Sequence, residues 1–507
     1  MRKIYYIWVL CWLSVISLFA KEPTLLKKAD KNAMNLWVDS VFNSMSDDEK
    51  IGQLFMVVAD IKTTSQNLQK LIRYVNDVKI GGVLFHKGNP TDQAYLTNKM
   101  QAAAKVPLFV ALDGEWGLSM RLNGTTRFPK NMMLGAIEDN LLIRKYGEEV
   151  ARQCKEMGIH INFAPDLDVN SNVDNPVIGI RSFGEDARMV VDKGLAYSAG
   201  LEEGGVLSVA KHFPGHGDTS EDSHETLPVL YHNRSRLDSV ELVPFRNYIE
   251  RGFSGMMTAH LCIPALEKKK KCPASLSHAV VTDLLQTEMG FEGLCFTDAL
   301  AMKGAANRKS DNPCVKALLA GNDVLLAPAF PISDFKDVKE AVESGVIPMS
   351  EIEKRCRKIL QYKYISGLDQ YRPIQIKGLD ERLNTAHAAW LAAELNAGAI
   401  TLLKNEEEMI PVTALDKRKI AILSIGNPLS DKFSETVNRY VKADAYYITK
   451  ATPASKVQQI YAKLNKYDLI LCAVHTVRIP ESLALRQLAM KKDVIYSFFT
   501  IPYFCKS

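Results

Sequence analysis

The chain lacks most of the features that would place it quickly in a class. Its nine cysteines include no CxxC pair and no metal-finger spacing, so neither a zinc framework nor a disulfide scaffold organises it. Cys262 and Cys272 bracket one loop and could be bridged in an oxidising compartment, but buried free thiols are the expectation. No GxGxxG follows an early strand, which argues against an open dinucleotide-binding sheet. Solenoid-type repeats and low-complexity tracts are absent. A large excess of charge is missing too. The formal net charge is +5, of which Arg2 and Lys3 supply two, and the remaining +3 implies neither nucleic acid nor an anionic membrane as partner. The one basic cluster, Lys268–Lys271, reads as a solvated loop. A membrane-spanning run is also lacking. The apolar stretch Ile4–Phe19, interrupted by Ser14 and Ser17, has sixteen residues, short of the roughly 18 of a spanning helix. With Arg2 and Lys3 before it and Ala20 after it, this stretch reads as a secretory leader over residues 1–20. The mature protein is therefore expected to be exported, periplasmic or secreted, with no stable membrane span.

What is present is an ordinary globular composition, 47% hydrophobic and 24% charged, over 507 residues, enough for two or three domains. After a lead-in over 21–42, short apolar runs alternate with amphipathic helical stretches. The runs are Gly81–His86, Leu108–Asp113, Asn162–Asp166, Val206–His212, Gly255–His260, Gly293–Asp298 and Asp323–Ala327. Near-continuous apolar strands separated by helices predict a parallel sheet covered on both faces. Seven or eight such units over residues 43–368 favour a (β/α)8, TIM-like barrel over an open doubly wound sheet. Most runs end in a residue able to do chemistry: His86, Asp113, Asp166, Lys211-His212, His260 and Asp298. In such barrels that C-terminal edge is where active sites are built. A linker is expected over 369–394. A smaller α/β sandwich domain follows over 395–507, with apolar runs Ala399–Lys404, Lys419–Ile425 and Tyr467–Val474. Its final run, Val494–Phe504, wants burial that the rest of the chain does not obviously supply, so this domain is expected to be incomplete.

The densest segment is Lys211–Leu227, KHFPGHGDTSEDSHETL, in which twelve of seventeen side chains can exchange protons or hydrogen bonds. Pro214, Gly215 and Gly217 prevent a regular helix, leaving a shaped loop at the barrel rim. A metal site built from His212, His216, Asp218 and His224 is one reading, but Pro214 and Gly215 break the helical i, i+4 geometry it needs. Proton transfer is the better one. Asp222 stands two residues before His224, where its carboxylate can fix the imidazole tautomer and favour the protonated form.

These residues also carry a resemblance. KHFPGHGDTSEDSH resembles the motif of bacterial β-N-acetylglucosaminidases of glycoside hydrolase family 3, and the resemblance extends from about Asp47 to Leu368. More weakly, AGAITLLKNEEEMIPV (Ala397–Val412) resembles the start of the family's second domain. The resemblance implies His224 as general acid/base, Asp222 as its partner, and Lys211 and His212 as sugar-holding residues. GFEGLCFTDALAMKG (290–304) resembles the family's nucleophile motif, which implies Asp298 as the nucleophile. In ALDGEWGLSMR the resemblance implies that Asp113 and Arg121 hold sugar hydroxyls, and in Arg181-Ser182-Phe183-Gly184 that Arg181 reaches the substrate. Between Asp113 and Arg121 the chain departs from the family's Gln-Glu-Gly-Gly-Arg, and Trp116 offers a stacking face there.

The expected function is retaining removal of terminal β-linked N-acetylglucosamine, from oligosaccharides such as peptidoglycan fragments, without cofactor or metal. A β-glucosidase of the same family and a non-catalytic wall-fragment binder are the alternatives. Phosphate in place of water as acceptor is a further option.

Overall fold

The computed structural model describes residues 23–223, 226–305, 312–406, 408–426, 431–476 and 493–500. The proposed leader over 1–20 and His224 lie outside them. The chain divides after Ile400 into two compact units.

The first unit is the expected barrel. Eight parallel strands run β1 Phe55–Ala59, β2 Gly82–Phe85, β3 Phe109–Leu112, β4 Ile161–Asn162, β5 Leu207–Phe213, β6 Gly255–Thr258, β7 Leu294–Thr297 and β8 Leu325–Leu326. Neighbours pair in chain order. β8 returns to β1 with Phe55 opposite Leu325, and a Phe296–Val324 bridge joins it to β7, which closes the ring. β1 was absent from the expected runs. It follows a helix, Asp47–Gly52, whose capping box is complete: Ser46 Oγ accepts from Glu49 N (3.2 Å), and Glu49 accepts from Ser46 N (2.7 Å).

Between β5 and β6 the chain forms two helices, Arg234–Ser239 and Leu242–Arg251, because it leaves the helical region at Val240. The segment expected as a linker, 369–394, is not one. Helices Leu379–Leu383 and Ala386–Gly398 bury Leu379, Leu383, Leu391 and Leu395 in the barrel's outer core, and the second helix crosses the expected boundary at 394. Arg152 donates to the carbonyls of Arg382 (2.6 Å) and Leu383 (3.3 Å), and Arg382 pairs with Glu156 at 2.6 Å.

The second unit holds a four-stranded parallel sheet: β9 Ile420–Ile425, β10 Asp444–Ile448, β11 Leu469–Val474 and β12 Asp493–Phe498, in the order β10-β9-β11-β12. Alternation along β9 gives each face its own core. Ala421, Leu423 and Ile425 pack with the helix Ala454–Leu464, whereas Ile420 and Ile422 pack with Phe433 and Val437.

One expectation fails here. Ala399–Lys404 forms no strand, and Ile400 and Leu403 stand 81% and 72% exposed. The first part of the terminal apolar run finds a partner: β12 pairs along β11 from Leu469–Asp493 to Val474–Phe498, and Val494 and Tyr496 pack on the core, while Phe498 and Phe499 stay exposed and 501–504 lie outside the described residues. Among the described residues no two cysteines are bridged, and no helix is long and apolar enough to cross a membrane.

Candidate active site

The barrel rim gathers alternating charges into one continuous chain. Asp113 follows β3, and Glu115 lies two residues on, the spacing that keeps two side chains on one side of an extended segment. Both reach Lys211 on β5, whose Nζ lies 3.0 Å from Asp113 Oδ1 and 2.8 Å from Glu115 Oε1. Arg121 closes one end with a 2.6 Å bond to Asp113 Oδ2. Arg181 closes the other, its Nη2 2.7 Å from Glu115 Oε1 and its Nε bonded to both Glu115 oxygens. Burial alone would raise the carboxyl of Glu115, but Arg181 and Lys211 outweigh it and hold the group far below its usual range. Asp113 is held down in the same way, against burial, by Lys211 and Arg121.

His212 continues the chain. Arg181 Nη2 lies 3.2 Å from His212 Nε2, and a guanidinium can only donate, so Nε2 accepts and the proton sits on Nδ1. Nδ1 then donates to Asp168 Oδ2 at 2.6 Å. Asp168 also accepts the backbone N–H of His216 (2.6 Å), so one buried carboxylate orients the ring and anchors the loop. Burial and the Arg181 charge push His212 down to about 4. His216 also falls to about 4, chiefly by burial. Neither ring carries a proton to spare at neutral pH. Asp166, fully buried, is pushed well up by burial and by Asp168 beside it.

Asp298 follows β7. Its backbone N–H donates to Thr258 O (2.9 Å), and its Oδ1 accepts from Ala299 N (2.7 Å). Burial would raise its carboxyl, but the neighbouring His260 and His212 rings, the Ala299 N–H and Lys211 outweigh it and hold the group below its usual range, ionised at neutral pH. His260 is fixed between Ser275 Oγ (2.6 Å from Nδ1) and Ala299 O (3.1 Å from Nε2). The loop 211–227 comes up against this corner. A Cβ placed on Gly304 would stand 3.1 Å from Thr226 O and His260 Cβ and 3.2 Å from Ser223 O. Ser223 and Thr226, the latter donating from its N–H to Asp222 O at 2.9 Å, thus lie beside the segment that follows Asp298.

Of the residues singled out in the sequence, the structure joins Asp113, Arg121, Arg181, Lys211 and His212 in one network, with Asp298 close enough to feel His212 and Lys211. His86 stands apart, 3.8 Å from Asp60 on an exposed stretch of rim. Lys130 lies 5.3 Å from the Trp116 ring centroid, so a cation takes one face of the ring read as a stacking platform. The four-residue metal reading dissolves among its described members: His212 bonds Asp168, His216 bonds Thr219 at 2.8 Å, and Asp218 bonds His232 at 2.6 Å. Two other groups, Asp166–Asp168–His212 and Asp218–His232–Glu241, bring ligand-type atoms within 4.8 Å of one another. Sequence reasoning gave no role to Glu115 or Asp168, and gave His216 only a place in the metal reading. For the two acids the available signal was the repeated pattern of carboxylates two residues apart beyond a strand, Asp113/Glu115 and Asp166/Asp168.

Comparison with known proteins fits this geometry. The profile of the glycosyl hydrolase family 3 N terminal domain matches residues 46–362. Beta-hexosaminidase A of Pseudoalteromonas piscicida is 34% identical over 371 residues, which are 66% of this chain and 61% of that protein, so the chain spans less than two thirds of that relative. A beta-N-acetylglucosaminidase/beta-glucosidase of Cellulomonas fimi is 27% identical over 77% of this chain and 70% of its own length. Among solved structures, a glycoside hydrolase family 3 beta-N-acetylglucosaminidase from Paenibacillus sp. str. FPU-7 superimposes with a TM-score of 0.75 at 29% identity, covering 91% of this chain and 92% of that one. With more than half its length matched by the family profile and its charged residues gathered on the rim of the matched barrel, the chain belongs to glycosyl hydrolase family 3.

Proposed function

We propose that the chain is a retaining exo-β-N-acetylglucosaminidase acting on terminal β-linked N-acetylglucosamine. The observation that carries this reading is Asp298, a carboxylate held ionised at the end of β7, with the Ser223 and Thr226 carbonyls close to Gly304 in the segment that follows it. Asp298 attacks the anomeric carbon while protonated His224 gives its proton to the leaving oxygen, forming a covalent glycosyl-enzyme. Neutral His224 then takes a proton from water, which releases the sugar with retained configuration. Two findings support His224 in that role: its motif, and the neutrality of His212 and His216, which leaves neither able to serve as the acid. Asp222 orients His224, and Asp113, Arg121, Arg181, Lys211 and His212 hold the sugar, their charges already neutralised and fixed before substrate enters. The leader-like residues 1–20 favour export, and wall-derived oligosaccharides are then the substrates within reach.

A second reading, β-glucosidase activity, is favoured by the dual name of the Cellulomonas fimi relative. Turnover of nitrophenyl N-acetyl-β-glucosaminide against nitrophenyl β-glucoside separates the two. The first should be cleaved faster, and faster cleavage of the glucoside would overturn the substrate assignment.

A further inference from the structure

Among the described residues from Pro214 to Asn233 only Val229, in a single bridge to Cys262, has regular pairing, so the loop's shape rests on individual bonds. Its inner edge is tied to the barrel. His216 N–H donates to Asp168 Oδ1, and His216 O accepts from Asn175 Nδ2 at 2.9 Å. Its exit is tied by Leu230 N to Cys262 O and by Cys262 N to Pro228 O, both 2.9 Å. Between these ties lies the stretch that contains Asp222 and position 224. Asp218 precedes that stretch and His232 follows it, and the two meet with Nε2 2.6 Å from Oδ2. One side-chain contact therefore closes residues 218–232 into a loop whose ends are fixed together.

A second pair lies against the first. Arg236 donates through Nε and Nη2 to Glu241 Oε1, at 3.2 and 3.1 Å, and Glu241 is only 2% exposed. Glu241 also floors the start of the loop. A Cβ on Gly215, at φ +131°, would fall 2.8 Å from Glu241 Cβ, so only glycine lets the chain lie flat there. One atom each from Asp218, His232 and Glu241 lie within 4.8 Å of one another, making the two pairs one cluster. The same three groups could suit a divalent cation, and Glu241 Oε2 has no hydrogen-bond partner. A cation would, however, have to displace His232 from Asp218 and sit beside the Arg236 guanidinium. The contacts already made favour the two side-chain pairs.

We propose that Asp218–His232 and Glu241–Arg236 form a hydrogen-bonded brace that closes the loop around the acid/base segment and keeps it in register with Asp298. The four are positioning residues, and their role rests on His224 being the acid/base of the function proposed above. An untethered loop leaves Asp298 in place but delivers the proton poorly, and only substrates with poor leaving groups feel that loss.

The test compares Asp218→Ala, His232→Ala, the double variant and Asp218→Asn on the N-acetylglucosamine disaccharide and on the nitrophenyl glycoside. For the alanine variants, kcat on the disaccharide should fall about 10- to 100-fold while that on the nitrophenyl substrate stays within about 3-fold and KM holds. The double variant should be no worse than either single one, as expected for two halves of one contact. Asp218→Asn, which keeps an acceptor for Nε2–H, should recover most of the loss. Equal losses on both substrates, or additive losses in the double variant, would overturn the brace. So would a stoichiometric divalent ion whose removal by chelator reproduces the alanine phenotype. Proteolytic nicking reads the tether independently of catalysis: cleavage within 218–232 should be about 10-fold faster in the alanine variants at unchanged Tm, and unchanged nicking contradicts the proposal. If the unaltered protein turns over no glycoside, the function fails, and nicking still decides the tether.

Discussion

Arg121, Asp113, Lys211, Glu115, Arg181, His212 and Asp168 form a relay in which each neighbour has the opposite charge or the complementary hydrogen-bonding role. Such a chain fixes side chains that would otherwise cost much conformational entropy to hold for a sugar. Glu115 is its hinge, buried and shared by two cations. Glu115→Gln leaves Lys211 and Arg181 facing each other across a neutral amide, and should cost about 3 kcal/mol of stability, the low end for breaking a buried ion pair. A shift in the urea midpoint at constant slope reads it. At this scale the sequence was most legible where a motif named the residue, as at Lys211 and Asp298. It was least legible at Asp168, whose role is to receive bonds from a loop some 44 positions away. Nothing local to Asp168 announces that.

Elements were legible where apolar runs had polar ends, as in β2, β3 and β5. They were not where the run and its flank merge. Ile51–Ala59 passes from helix to strand with only Gln53 and Leu54 between, and short apolar runs do not reveal their own period. Ala399–Lys404 shows the opposite error: its composition suits a strand, yet no sheet edge takes it. One element contact makes a pH prediction. Glu202, on the helix Ala187–Glu203, accepts from Ser208 on β5 and from Ser254 N before β6, both at 2.8 Å, while its second oxygen has no hydrogen-bond partner. Burial pushes its carboxyl up to about 7. Below the unfolded value near 4.5 both states are protonated. Between there and 7 only the unfolded state ionises, so the folded state loses stability as pH rises, by about 3 kcal/mol in all. Glu202→Gln should therefore raise Tm at pH 8 and leave it unchanged at pH 4. Equal Tm at both values would contradict the assignment.

At the scale of the whole molecule, barrel and following sheet were both legible, because alternating apolar runs and helices admit few architectures. The boundary was not. Mixed charge and Pro373 suggested a linker over 369–394, but the helices Leu379–Leu383 and Ala386–Gly398 dock on the barrel, burying Leu379, Leu383, Leu391 and Leu395. The described site residues all precede Ile400. A protein truncated after Ile400 should therefore fold and cleave the nitrophenyl N-acetylglucosaminide. One truncated after Leu368 should lose several kcal/mol, since removing each buried leucine costs about 2–5 kcal/mol. Thermal unfolding of the two truncations checks this.

The central claim is that Asp298 is the nucleophile of a retaining glycosidase, and covalent trapping tests it most directly. A fluorinated, mechanism-based N-acetylglucosaminide should add one sugar to the intact mass, and peptide mapping should place that mass on Asp298. Asp298→Ala should take up no label. A label on any other residue, or steady turnover of the reagent by Asp298→Ala, would contradict the account.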